Sequence, residues 1–187
     1  MVNITQTIEP KTRARWRAWL LEHHANTQEI WLVYALGKDG GLTYLDAVEE
    51  ALCFGWIDGL GKKMGASTAQ RFTPRRKGGN WTELNKHRVR RLMEAGLMTP
   101  AGLAVAPDLN APFVLSAETE KGLKKDPAVW TAWCAFPELY RRVRGSYVDE
   151  MRKRDAAEYD KRLANLIQQT RAGTMFGNWD DAGMKRS

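Results

Sequence analysis

WIDGLGKKMGASTAQRFT, running from Trp56 to Thr73, is the stretch that settles how the chain folds. Its ends, Trp56-Ile57-Asp58-Gly59 and Gln70-Arg71-Phe72-Thr73, combine aromatic and β-branched residues with polar ones, and a glycine-rich connection from Leu60 to Ala69 lies between them. Such segments read as two short strands joined into a hairpin-like pair. Immediately upstream, Thr43-x-x-Asp46 has the form of a capping box, with Tyr44, Val48, Ala51 and Leu52 as the apolar stripe of a helix that stops at Gly55. Further out, EIWLVYAL from Glu29 to Leu36 reads as a buried strand, and Lys38-Asp39-Gly40-Gly41 as the turn after it. Pro10 opens an amphipathic helix over residues 10 to 25, in which Trp16 and Leu20 share a face beside Trp19.

Downstream, Pro74 to Gly79 is a basic loop, and Asn80-x-x-Glu83 offers a cap for a helix to Ala95 with Gly96 as its stop. Asn85, Val89, Leu92 and Met93 are expected to share one face of it. Thr99-Pro100 starts a short helix to about Ala106. Residues 107 to 116 hold two prolines and an asparagine and read as a crossing loop between an α+β region (1–106) and a helical region (107–187), the two expected to form one compact unit. Helices are expected near 117–125, 127–135, 137–152 and 155–172, the last two entered through Pro137 and Asp155. From Gly173 onward the periodicity fades, leaving a disordered tail or an arm anchored by Phe176 and Trp179. The expected architecture is α+β, with a small, mainly antiparallel sheet and helices in the N-terminal half and a helical C-terminal half packed against it.

Composition narrows the class of protein. Of 187 residues, 43% are hydrophobic and 27% charged, which is ordinary globular usage and argues against disorder, collagen or a coiled coil. The longest apolar run, Ile30 to Leu36, falls well short of the ~20 residues that span a bilayer, and no secretory leader is recognisable. Cys53 and Cys134 form no CxxC pair and are expected to be core residues. With only His23, His24 and His87 beside them, neither a disulfide scaffold nor a thiol zinc site can be built. No metal and no cofactor is expected, and the reducing cytoplasm is the expected compartment. Gly59-Leu60-Gly61 with Gly65 lacks the long strand before it and the helix after it that a dinucleotide loop requires.

The net charge of +7 is concentrated between residues 71 and 91, where Arg71, Arg75, Arg76, Lys77, Lys86, Arg88, Arg90 and Arg91 face a single acid, Glu83. The plain reading is a basic surface answered by acids elsewhere in the fold. The functional reading rests on the neighbours: Trp81 at a helix entrance, with Asn80 and Asn85, supplies an aromatic face and amides beside guanidinium groups. Asp58 follows apolar Trp56-Ile57, so it is expected near the core, where a carboxylate needs a partner such as Arg71 or Arg75. The leading expectation is a binding or stress-protection protein whose pocket for a small anionic ligand, aromatic or not, is built from Trp56, Asp58, Arg71, Arg75, Asn80, Trp81 and Asn85. In that picture Arg71 and Arg75 take the negative group, Trp81 stacks, Asn80 and Asn85 orient, and Asp58 fixes the arginines. Two alternatives share these residues. One is a cofactor-independent enzyme with Asp58 as acid or base; the other is nucleic-acid binding through the 71–91 stretch.

A set of motifs in fixed order carries a family resemblance. Ala51-Leu52-Cys53-Phe54-Gly55-Trp56-Ile57-Asp58-Gly59, then Arg71-Phe72-Thr73-Pro74-Arg75-Arg76-Lys77-Gly78, Asn80-Trp81-Thr82-x-x-Asn85 and Gly96-Leu97-Met98-Thr99-Pro100-Ala101-Gly102 resemble the YdeI/OmpD-associated proteins, also called bacteriocin-protection proteins. The resemblance covers roughly residues 10 to 105, and the helical half more loosely. It implies a protective role against bacteriocins or envelope stress.

Overall fold

Two residues at one end of the sheet and a glycine at the other set the frame of the N-terminal half. In the computed structural model, which describes residues 3–35, 41–65 and 67–181, β1 (Thr7–Ile8) pairs in parallel with β2 (Ile30–Ala35). Between them runs α1 (Arg13–His23), whose N-cap Thr12 accepts from the Arg15 amide. Trp16 and Leu20, one turn apart, are fully buried, and the Trp16 indole donates to the Ala47 carbonyl at 3.0 Å. Ile30, Trp31 and Leu32 are all buried, as expected of a strand covered on both faces. The Lys38–Gly40 part of the expected turn lies outside the described residues.

The capping box forms as the sequence suggests: Thr43 and Asp46 exchange side chain and backbone at the start of α2 (Tyr44–Cys53). The expected one-sided stripe is corrected, because every residue from Leu45 to Cys53 is buried, Asp46, Glu49 and Glu50 included. Arginines make this tolerable. Arg13 bonds Glu50 at 2.6 Å, Glu49 at 2.9 Å and Asp46 at 3.1 Å, Arg17 bonds Glu50 at 2.7 Å, and Arg91 bonds Glu49. Burial alone would lower the Arg13 pKa, but the bonds to Glu50 and Glu49 outweigh it and hold it above the ordinary value.

Gly55 turns the chain from α2 into the hairpin with φ +74°, and a Cβ there would meet the Ala101 carbonyl oxygen at 2.9 Å. The hairpin is longer than expected. β3 (Trp56–Met64) and β4 (Ser67–Pro74) pair antiparallel, so most of the glycine-rich connection is itself strand. The register slips between Asp58 and Gly61, where the Gln70 side chain donates to the Gly59 carbonyl at 2.6 Å and a Cβ at Gly61 would strike it. Sheet order is β1-β2-β4-β3, with β3 at an edge.

Next come α3 (Glu83–Glu94) and α4 (Pro100–Val105). The cap of α3 is Thr82 rather than Asn80: the Thr82 hydroxyl accepts from the Asn85 amide, and its carbonyl from the Lys86 amide. Val89 and Leu92 are buried as expected, whereas Met93 is exposed and the buried place goes to Arg88. Gly96 closes the helix at φ +66°. At α4, the Thr99 hydroxyl and amide both donate to the Cys53 carbonyl, at 2.7 and 3.1 Å, and Gly102 lets the two helices touch.

The chain divides into two compact units. The first holds Trp81 and the described residues before it, with Arg88–Leu109. The second holds Thr82–His87 and the described chain from Asn110 onward. In the second unit, α5 (Ala117–Lys124), α6 (Pro127–Ala135), α7 (Glu138–Asp149) and α8 (Ala156–Arg171) match the expected helices. Leu123, Val129, Trp133, Tyr140, Val148 and Leu166 form their core. Asp149, at the end of α7, accepts from the Ser116 amide at 2.8 Å and from the Ser116 and Thr119 hydroxyls, each at 2.6 Å. After α8, Phe176 and Trp179 pack on this core, the latter edge-on to Tyr140 at 5.6 Å. Cys134 is exposed, correcting its expected place in the core, while Cys53 is buried and its thiol is pushed up to about 11 by burial. Among the described residues no helix is long and apolar enough to cross a membrane.

Candidate functional site

The end of the hairpin places the residues of interest. β3 begins at Trp56, opposite Pro74, and Asp58 lies opposite Phe72. Opposed residues share a face of the sheet, so Asp58 lies on the side of buried Phe72, and the Tyr44 hydroxyl of α2 donates to its Oδ2 at 2.6 Å. Arg71, next to Phe72 in the strand, takes the other face and pairs with Glu29 at the start of β2. The expected Asp58–Arg71 pair therefore does not form, and Arg71 does not join Arg75. Strand alternation keeps Arg71 from Asp58, and β4 ends at Pro74, so Arg75 lies beyond the strand that holds Arg71. Trp56 is 1% exposed, its indole donating to the His24 carbonyl at 3.3 Å, which makes it a core residue.

Arg75 is the unusual group. Its amide is fixed to the Gly55 carbonyl at 2.8 Å, so it leaves the sheet beside the entry to β3. The side chain, 8% exposed, lies over the Trp81 ring with its guanidinium carbon 3.7 Å from the centroid. Nη1 donates to the Asn80 carbonyl at 3.1 Å, while Nε is buried with no partner. No carboxylate forms an ion pair with Arg75 among the described residues. Burial pushes its pKa down to about 10, against the weaker opposing field of Asp58. The Nε–Nη2 edge, the one that matches the two oxygens of a carboxylate, is left without an acceptor.

Trp81 is itself a core residue, 8% exposed, and its ring carries Arg75 instead of an open face. Asn80 contributes its carbonyl from an exposed loop, Arg76 to Asn80, in which Gly78 has φ +72°. Asn85 is buried in the first turn of α3 and belongs to the second unit. The structure thus gathers Asp58, Arg75, Asn80 and Trp81 at one end of the hairpin, adds Tyr44, and places Arg71 apart. The chain belongs to the DUF8412 family. That family, described as Domain of unknown function (DUF8412), matches residues 8–105, from the end of β1 to the end of α4, and so includes each of these residues. No curated protein and no solved structure matches the chain.

Most of the remaining positive stretch is answered within the fold. Besides Arg71, Lys86 pairs with Glu83 at 2.6 Å, Arg90 donates to the Leu109 carbonyl, and Arg91 pairs with Glu49. Arg88 is buried, and Arg76 and Lys77 project from the loop. Among the described residues no group of three or more His, Cys, Asp and Glu side chains could hold a metal ion.

Sequence reasoning missed Tyr44 as the partner of Asp58 and a further buried arginine, Arg144. Within its own unit, Arg144 lies between the Tyr147 and Phe176 rings at 4.5 and 4.1 Å, its Nε also unpartnered, and burial lowers its pKa. Phe176 and Gly177 cover it, and a Cβ at Gly177 would lie 2.7 Å from its Nη1. The run Arg141-Arg142-Val143-Arg144 was the available signal.

Proposed function

We propose that this DUF8412 protein is a binding protein that takes a small anionic, carboxylate- or phosphate-bearing ligand at Arg75. The observation that carries this reading is the buried guanidinium with an acceptor-free Nε and no ion-pair partner among the described residues, held flat by Trp81. A fold gains nothing by burying a charge it leaves unanswered, whereas a ligand oxygen pair would complete the set. The exposed Arg76–Asn80 loop is the part that moves to admit it, with Arg76 and Lys77 adding attraction for anions. Asp58, fixed by Tyr44, maintains the field around the guanidinium.

The resemblance to the YdeI/OmpD-associated, bacteriocin-protection proteins supports a stress-protection setting for this binding. The two free cysteines fit a reducing cytoplasm. The enzyme reading, with Asp58 as acid or base, draws on the Tyr44–Asp58 bond of 2.6 Å; it would gain if a rate collapsed in Asp58→Asn while ligand binding survived. The nucleic-acid reading is the weakest of the three, because the 71–91 cations are largely spent on internal partners.

The test is calorimetric titration with inorganic phosphate, benzoate and neutral benzamide. We expect saturable binding of an anion by the unaltered chain, binding at least about tenfold weaker in Arg75→Met, and none of benzamide at this site. Equal anion binding in Arg75→Met, or no anion bound at all, would remove the reading.

A further inference from the structure

The helical unit contains a cavity of about 460 Å³, lined on its apolar side by Phe113, Leu115, Trp130 and Trp133. That volume lies within the range of roughly 300 to 1,000 Å³ typical of small-molecule sites. All of its lining belongs to the second unit, outside the residues matched by the family, so it has no connection with Arg75.

Four charged side chains also reach it: Glu120, Glu138, Arg141 and Arg142. Three are already answered. Glu120 holds Lys124 at 2.5 Å, Glu138 holds Arg142 at 3.2 Å, and Arg142 also takes Glu83 at 2.8 Å while lying over the Phe113 ring. Arg141 differs from them. Its Nε donates to the Phe136 carbonyl at 3.1 Å, and no carboxylate among the described residues pairs with it. The terminal nitrogens of this half-buried side chain, which helps line the cavity, are therefore without an anionic partner among the described residues.

From this juxtaposition, an aromatic-walled cavity whose lining includes one guanidinium without an ion-pair partner among the described residues, we propose a second ligand site, for a monocarboxylate with an apolar, preferably aromatic, body. The ring of such a ligand packs against Trp130 and Trp133, where large apolar area is removed from water. Its carboxylate accepts from the Nη groups of Arg141. A cationic ligand finds no free acid there, since both glutamates are paired, and a neutral ligand leaves Arg141 as it was. The site stands independently of the proposal for Arg75.

The probe is 4-phenylbutyrate, titrated into the full chain and followed by tryptophan fluorescence and by the indole N–H signals of Trp130 and Trp133. Its neutral amide, 4-phenylbutyramide, is the control. We expect saturable binding that shifts both indole signals, with affinity lower by about tenfold or more for the amide and in Arg141→Met. Arg141→Lys should recover part of the loss, since a point charge replaces the fork. No saturable binding, equal binding of acid and amide, unchanged affinity in a folded Arg141→Met, or shifts that spare both indoles would each overturn the proposal.

Discussion

Arg75→Met gives opposite results according to whether Arg75 is there to hold the fold or to hold a ligand. Burial pulls the Arg75 pKa down to about 10, and at about 1.4 kcal/mol per tenfold change in a protonation equilibrium, keeping the charge in place costs on the order of 3 kcal/mol. Against this stand the contact with the Trp81 ring at 3.7 Å and the bond to the Asn80 carbonyl at 3.1 Å. The ring contact contributes about 0.5–2 kcal/mol and the charged hydrogen bond about 1.5–3 kcal/mol. The terms nearly cancel. Methionine keeps an unbranched apolar stem against Trp81 and removes the charge, so the variant should unfold within ~1 kcal/mol of the unaltered chain, or later, while losing anion binding. The assay is urea denaturation followed by circular dichroism, alongside the phosphate and benzoate titrations. A loss of 3 kcal/mol or more, of the order seen when a structural buried pair is broken, would refute the reasoning and make Arg75 a structural clamp.

Three further outcomes follow from the packing and the charges. Arg13→Met leaves the buried carboxylates Asp46, Glu49 and Glu50 short of their main partner and should cost about 3–5 kcal/mol in urea unfolding. Gly102→Ala would set a Cβ 2.3 Å from the Cys53 carbonyl oxygen, so α4 must shift; a loss of about 1–3 kcal/mol is expected, read as a lower thermal midpoint. Two glutamates make stability sensitive to acid. The Thr5 hydroxyl, with Arg71 and Trp31, holds Glu29 below the ordinary carboxylate range. For Glu83, burial pushes the pKa up, but Lys86 and Arg142 outweigh it and the net direction is down. Because the unfolded chain then takes up protons at higher pH than the native one, their contribution is complete above the unfolded glutamate value of about 4.3 and is lost as pH falls through the lower native values. Thermal midpoints measured from pH 6 to pH 3 should fall less steeply in Glu29→Gln/Glu83→Gln than in the unaltered chain.

Where local rules govern, the residues were legible. Thr43-x-x-Asp46, Thr99-Pro100, Gly96 and Asp155 each mark an end that depends on neighbours within one turn, and each does so in the structure. The hairpin was visible at its aromatic ends but not in its glycine-rich middle, because pairing with β4, itself paired to β2, holds Gly61 to Met64 extended where propensity would not. Asn80 and Thr82 both offer a cap oxygen, and only the observed geometry chooses Thr82. The burial of Glu49 and Glu50 had no local signal at all, since it depends on Arg13 and Arg17 arriving from more than 30 positions away. Among the candidate residues, the cluster of Asp58, Arg75, Asn80 and Trp81 was legible from composition. What separated Arg71 from Asp58 was strand alternation set by the register of β3 against β4, together with its pairing to Glu29, and Tyr44 entered only through the packing of α2 on β3.

The Nε–H group of Arg75 reports most directly on the central claim. Buried and unpartnered, it should give a distinct signal in nitrogen-15 correlation spectra, assignable by its loss in Arg75→Met. On titration with phosphate or benzoate this signal should move saturably, with the same midpoint as the calorimetric binding and together with the backbone amides of Gly78 and Gly79. An Arg75 Nε–H signal that stays in place while an anion binds would contradict the account.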